Sequence, residues 1–322
     1  MVTDQLRALV HRYPLVRFAT RRLRVRLPRR LGGLDPDRVP PWSRQVSFRL
    51  PRLESDTRRT GPDVLTVRLP GDLTVPRRLA YFGLARHEPE SLACFMAMLD
   101  HTRPGAVFDV GAGVGVYSLL AAARTSRPVF AFEPTPEIAA AARVLSSSAN
   151  LGFTVVESAL SNHTGTAQLR RSPHNDMCNT LVRSTRGDLA HITVEVTTLS
   201  RWNEGATALP TVLKIDTVGT EPDVVAGGLE VLRRYRPWML VKVRPDRGVE
   251  ERLMALLDPL EYTWYPVVGP SPYEARTEIA GRASPAWERM WLFTPEPVPE
   301  GFWPSVRHWR TAVDRCAPEP DA

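Results

Sequence analysis

Between residues 106 and 258, short apolar runs alternate with amphipathic stretches, a rhythm few folds accommodate. The runs "AVFDV" (106–110), "PVFAFE" (128–133), "FTVVES" (153–158), "TVLKID" (211–216) and "WMLVKV" (238–243) have strand length and are too apolar for one wet face. Between them, "GVYSLLAAAR" (115–124), "PEIAAAARVLSSSA" (136–149), "EPDVVAGGLEVLRRY" (221–235) and "GVEERLMALLD" (248–258) carry apolar residues at helical spacing. Strands alternating with helices predict an α/β sheet covered on both faces. Two further runs, "YTWYPVV" (262–268) and "RMWLFTP" (289–295), have no helix between them and are expected to pair antiparallel. Residues 166–197 read as a β-rich excursion.

Ahead of the sheet, residues 88–102 form an amphipathic pattern closed by Pro104-Gly105. "VLTVRLPGDLTVPRRL" (64–79) alternates about Pro70-Gly71-Asp72 and predicts a hairpin. Leu6, Leu9, Val10 and Tyr13 stand at helical spacing, and the text to about residue 60 is rich in Arg and Pro. The expected organisation is an Arg-rich extension over 1–80, a domain over 81–295 and a tail over 296–322.

Net charge is +7, which admits nucleic acid, an anionic membrane or an acidic partner. That excess is local, because residues 1–33 hold nine arginines against the single acid Asp4, and the remainder is close to neutral. A basic arm of this kind suits an acidic partner. Three cysteines, widely separated and odd in number, give no zinc spacing and no disulfide framework, so a reducing, cytoplasmic setting is expected. No run approaches the length of a membrane span.

The first strand runs into "FDVGAGVGVYS" (108–118), with Gly111, Gly113 and Gly115 at the turn into a helix. Glycines there allow positive φ and let backbone amides approach a ligand closely. The spacing is GxGxG rather than the dinucleotide pattern, and Asp109 precedes the loop. An anionic side chain there repels a pyrophosphate and suits a cationic amino-acid moiety. The second strand ends in Glu133, about where an acid holds ribose hydroxyls. Together these point to S-adenosylmethionine, with Ser158 and Ala159 flanking the adenine.

"VFDVGAGVGVYSLLAAA", "VFAFEPTPE", "ESALSNHTGTAQL", "LKIDTVGTEPDVVAGGLEVL" and "RPWMLVKV" follow one another in an order and spacing that resembles the FkbM family of methyltransferases, over roughly residues 80–295. The resemblance implies a class I methyltransferase fold, Rossmann-like, with seven mostly parallel strands in the order 3-2-1-4-5-7-6. It also implies O-methylation of a hydroxyl on a small-molecule natural product, sugar or glycolipid. Carried over, Asp109, Gly111, Ala112, Gly113, Gly115, Tyr117, Ser118, Glu133 and Pro134 are donor-site residues, with Asn150 and Asp216 beside them. Glu88 and Glu90 fall near an acid the family often has before the first strand.

Departures from the family pattern fall at three acids. Val218 stands in "KIDTVGTE", Ser200 follows Thr198-Leu199, and Lys242 stands at or beside a glutamate position ending the fifth strand. Lys242 and Lys214 are the only lysines in a chain that otherwise uses arginine. A lysine ammonium is compact and fits a confined strand end where a guanidinium fork does not. Lys214 is expected to pair Asp216 or a backbone carbonyl. Lys242 either pairs Asp216, faces an anionic or carbonyl-bearing acceptor, or reaches solvent. Loss of carboxylates predicts a site that works without a metal, since hard cations want oxygen ligands. Asp216 is the first candidate for base or acceptor anchor, followed by Lys242, Lys214, His174 and His163, with "SPHNDMCNTL" (172–181) as the acceptor-contact loop.

Two other functions compete: a donor-binding partner subunit that has lost turnover, and a nucleic-acid methyltransferase. Against the latter, the place of an Asn/Asp-Pro-Pro-aromatic stretch reads "DTVG", and no aromatics interleave with the arginines.

Overall fold

The computed structural model describes residues 44–54, 63–70, 73–148, 151–171, 179–181, 191–205, 209–244, 248–279 and 290–317. The arginine-rich stretch before residue 44, the expected helix over 3–13 within it, and the site candidates Asn150 and His174 lie outside the described residues.

Seven strands form the central sheet: β3 (Ala106–Val110), β4 (Val129–Phe132), β5 (Thr154–Val156), β9 (Pro210–Ile215), β10 (Trp238–Lys242), β11 (Thr263–Val267) and β12 (Met290–Thr294). Counted within the sheet, their order is 3-2-1-4-5-7-6. The first five run parallel, while β12 pairs antiparallel with both β10 and β11. This is the class I methyltransferase arrangement. Both faces are buried, as the apolar runs require. Val107, Ala131, Val212 and Leu240 enter one core, while Phe108, Phe132, Leu213 and Met239 enter the other.

Helices α2 (Pro89–His101), α3 (Val116–Arg124), α4 (Pro136–Ser148) and α9 (Phe302–Asp314) contribute to the first core. The second is covered by α5 (Leu199–Glu204), α6 (Glu221–Gly227), α7 (Leu229–Tyr235) and α8 (Val249–Leu257). There Trp202 meets Phe108, Phe130 and Phe132 edge-on, with ring centroids 4.7–5.2 Å away. Thr198 caps α5, its hydroxyl accepting from Arg201 N at 3.0 Å.

The excursion forms its own sheet, β6 (Ala159–Leu160), β8 (His191–Thr197) and β7 (Gly165–Arg170), in that order.

Three expectations need correction. Val64–Leu69 is a strand, β2, but its partner is the upstream β1 (Arg44–Arg49) and not residues 74–79. The latter begin helix α1 (Thr74–Phe82), because Val75 and Leu79 share one buried helical face and Pro76 sits in the tolerant first turn. The expected helix over 221–235 is two helices with a break at Gly227–Gly228, where a Cβ on Gly227 would collide with Ser161 O. Within the expected tail, α9 packs along α2: Trp309 Nε1 donates to Asp100 at 2.8 Å and Arg310 pairs Glu90 at 3.0 Å. The divisions at 80 and 296 therefore do not separate cores, since Val46, Leu69, Phe302 and Trp309 share one with the sheet.

Candidate active site

At the carboxyl ends of the parallel strands lies a cavity of about 280 Å³. That is where an open α/β sheet receives ligands, because helices begin there and backbone amides face outward. The glycine loop forms one part of its wall. Gly111, Gly113 and Gly115 all have positive φ, +71°, +57° and +87°. A Cβ on Gly111 would collide with Asp216 O, so this glycine lets the loops after β3 and β9 touch. Around Gly113 nothing lies within 4 Å of where a Cβ would be. Gly115 initiates α3 and packs on Phe153, away from the cavity lining.

Glu133 lines the cavity with Pro134 and Thr135. Its two carboxylate oxygens accept from Gly113 N at 3.0 Å and Thr135 N at 2.9 Å, tying the glycine loop to the end of β4. Burial pushes its carboxyl above the usual range, against the pull of those N–H donors. Each oxygen keeps a lone pair for a ligand hydroxyl. Ala159 also lines the cavity, whereas Ser158 does not, its hydroxyl donating to Ala159 O and Glu195 O at 3.2 Å.

Asp109 does not face the cavity. It is fully buried beneath it, with Oδ2 accepting from Ser118 N and Oγ at 3.2 and 2.8 Å and Oδ1 3.0 Å from Lys214 Nζ. A carboxylate so enclosed anchors the first turn of α3, and Ser118 is buried with it. The expectation that Asp109 meets the donor's amino group is corrected: its charge is matched inside the protein.

Lys214 also donates to Gly111 O at 3.0 Å and stands 5.0 Å from the centre of the Tyr117 ring. Of the two expected partners, it therefore takes the backbone carbonyl, and its ion pair is with Asp109 rather than Asp216. Burial lowers the affinity of its ammonium for the proton, but Asp109 and Asp216 outweigh that and raise it above the usual lysine value.

Lys242 does not reach bulk solvent and stands in the cavity wall. Its Nζ lies 2.7 Å from Glu88 Oε1 and 2.8 Å from Asp216 Oδ2, and the residue is 4% exposed. Glu88, left-handed at φ +51° just before α2, also accepts from Tyr117 Oη at 3.1 Å. One ammonium thus joins the segment before α2 to strands four and five. Burial alone would raise both carboxyls; the Lys242 ammonium dominates and holds Glu88 and Asp216 below their usual values. It is itself held above its own, burial being outweighed by Asp216 and Glu88. An uncharged lysine base is incompatible with such a triad.

The "KIDTVGTE" segment has a role that sequence reasoning missed. Glu221 is fully buried, and its carboxylate accepts from Thr217 N at 2.9 Å and Gly219 N at 2.9 and 3.1 Å. It thereby holds a turn in which Val218 and Gly219 both have positive φ, +61° and +100°. A β-branched residue is strained there. The signal was present: a glutamate just after a Gly-containing turn is placed to accept the turn's amides. His87 was also overlooked; buried, lining the cavity, it is pushed down to about 4 by burial, so its imidazole is neutral near pH 7. His163 is exposed on a loop, contacts Asn162 at 3.1 Å and does not line the cavity. Of the expected acceptor loop, Asn179, Thr180 and Leu181 are described and line the cavity.

Residues 109–263 match the family described as the methyltransferase FkbM domain. Over these residues the chain is similar to FkbM methyltransferases. The methyl donor for such a domain is S-adenosylmethionine, and the open Gly113 together with Glu133 fits it. Among solved structures, the FkbM methyltransferase from Methylobacillus flagellatus KT is 14% identical, with a TM-score of 0.40, over 59% of this chain and 43% of its own. This chain therefore spans less than half the length of that relative. A precorrin-6y C5,15-methyltransferase from Geobacter metallireducens GS-15 is 11% identical, TM-score 0.37, over 63% and 85% of the two chains. An O-methyltransferase from Bacillus cereus in complex with SAH is 13% identical, TM-score 0.35, over 64% and 79%. No curated protein matches the sequence significantly. Among the described residues, no helix is long and apolar enough to cross a membrane.

Proposed function

We propose that this domain transfers a methyl group from S-adenosylmethionine to a hydroxyl of a small molecule or sugar, without a catalytic metal. The observation that carries this reading is the state of Asp216 at the cavity. Its Oδ2 is bound by Lys242, while Oδ1 is buried and has no hydrogen-bond partner among the described residues. An ionised carboxylate with one free oxygen accepts a hydrogen bond from a hydroxyl and orients its lone pair.

The bound donor supplies a sulfonium methyl electrophilic enough to need no covalent help from protein. Gly111 and Gly113 would give it close passage, and Glu133 would accept from its ribose hydroxyls. Asp216 aligns the acceptor oxygen. As the O–CH₃ bond forms and the CH₃–S bond breaks, the hydroxyl proton passes to the Asp216 carboxylate and on to water. A metal at Asp216 would have to sit beside the Lys242 ammonium, which already holds that carboxylate at 2.8 Å.

The test combines calorimetry with S-adenosylhomocysteine and methyl transfer to hydroxylated metabolites. Asp216→Asn is expected to keep product affinity within about twofold and lose about 10²-fold or more in turnover. Unchanged turnover would remove Asp216 from the reaction. A chelator is expected to leave wild-type turnover unaltered; loss that added metal restores would refute metal independence. Donor binding with no transfer to any hydroxyl would favour a partner subunit without turnover.

A further inference from the structure

The same cavity holds more unsatisfied buried polarity than a hydroxyl alone can meet. Besides Asp216 with its Oδ1, three residues lining it each carry a buried polar atom with no hydrogen-bond partner among the described residues: Thr217 Oγ1, His87 Nδ1 and Arg244 Nε. An unmet buried polar group is costly, and a cluster around one cavity marks where a ligand's polar atoms go.

The kinds of atom specify the ligand. Asp216 Oδ1 can only accept, so it takes a hydroxyl. Arg244 Nε can only donate, and a guanidinium is best met by a carboxylate or phosphate. The threonine hydroxyl serves in either sense, and the neutral His87 ring adds no charge. Formal charge is even until a donor binds, with Arg78, Lys214, Lys242 and Arg244 against Glu88, Asp109, Glu133 and Asp216, and Arg244 also drawn to Asp216. Lys214 is matched by Asp109, and Lys242 by Glu88 and Asp216 together. Arg78 of α1, also at the cavity, already donates to Arg86 O at 3.1 Å. Arg244 follows β10 directly, and the donor would add a sulfonium charge.

We propose that the acceptor is an anionic hydroxyl compound, its reacting hydroxyl on Asp216 and a nearby carboxylate or phosphate on Arg244. This rests on the methyltransferase reading and adds the acceptor's class. In the transfer, the O–CH₃ bond forms as CH₃–S breaks and the hydroxyl proton leaves to Asp216, so the anionic group is unchanged and only anchors.

The test uses the full chain saturated with S-adenosylhomocysteine and titrates inorganic phosphate, glucuronate, glucose 6-phosphate and glucose by calorimetry. At least one anion is expected to bind tenfold or more tightly than glucose. Arg244→Gln should abolish that preference without changing affinity for S-adenosylhomocysteine, and Arg244→Lys should recover part of it. Equal binding of glucose and the anions, or no anion binding at all, overturns the proposal. So does an Arg244→Gln variant that weakens S-adenosylhomocysteine as much as the anions, since Arg244 then serves the donor's own carboxylate. Should the wild type fail to bind S-adenosylhomocysteine, the methyltransferase reading itself falls, a separate outcome.

Discussion

At the scale of single residues, the two lysines hold three carboxylate interactions that no arginine could reproduce in the same space. Lys242→Met leaves Glu88 and Asp216 buried and unmatched, and is expected to cost about 3–5 kcal/mol at pH 7 by denaturant unfolding. The pH dependence has a definite sign. Glu88 and Asp216 have ordinary values of 4.5 and 3.8 and are held below them in the fold. Their contribution is therefore full above about 4.5 and is lost as pH falls through the lower folded values. In the variant, burial is no longer opposed by the Lys242 ammonium, so both carboxyls move up and protonation costs its fold less. The gap in stability between wild type and Lys242→Met should accordingly narrow from pH 7 toward pH 4; a constant gap would break the link to these carboxylates. His87 adds acid sensitivity of its own, because the unfolded chain takes up its proton near 6.5 and the fold only near 4. Lys242 with Asp216 was among the pairings the sequence allowed, but the share of Glu88 and the pair of Lys214 with Asp109 were not legible there. Lys214 and Asp109 are 105 positions apart, and only the register of β9 on β3 sets them side by side.

Among elements, the glycine loop separates shape from ligand access. Gly111→Ala meets Asp216 O and a left-handed φ together, so it should lower the melting temperature by many degrees and abolish S-adenosylhomocysteine binding. Gly113→Ala carries only the backbone cost of about 1 kcal/mol, since nothing surrounds its Cβ. It should fold, with a small shift in melting temperature, yet bind S-adenosylhomocysteine at least tenfold more weakly if the donor passes there. Equal loss of stability in both variants would argue against that separation. The loop was legible because glycine spacing after an apolar strand is a local signal. The hairpin expected over 64–79 failed because period-two alternation around Pro-Gly-Asp fits a strand followed by a helix equally well. Pairing with β1 settles it, and that contact is made across residues whose own pattern is weak.

For the whole molecule, α9 closes the core on the side of α2. Trp309 is 1% exposed and bonded to Asp100, with Arg124 stacked 5.1 Å from its ring centre. Trp309→Ala is expected to cost about 3–5 kcal/mol, read as one shifted unfolding transition rather than an early separate one. Two transitions would show that α9 folds apart from the sheet. Residues 296–322 gave little sequence signal because proline and tryptophan obscure a helical stripe whose meaning depends on the partner helix.

By itself, the sequence determined the strands, most of the helices between them, the glycine loop and the likeness to FkbM methyltransferases, since each is written in local periodicity or contiguous motif. Folding decided which charges meet. It placed Asp109 beneath the cavity rather than in it and gave Lys242 to Glu88 and Asp216 together. It also left Arg244 Nε and Asp216 Oδ1, on two residues that line the same cavity, without hydrogen-bond partners among the described residues. Ion pairs between distant residues depend on strand register and burial, and neither is encoded within any one segment of the chain.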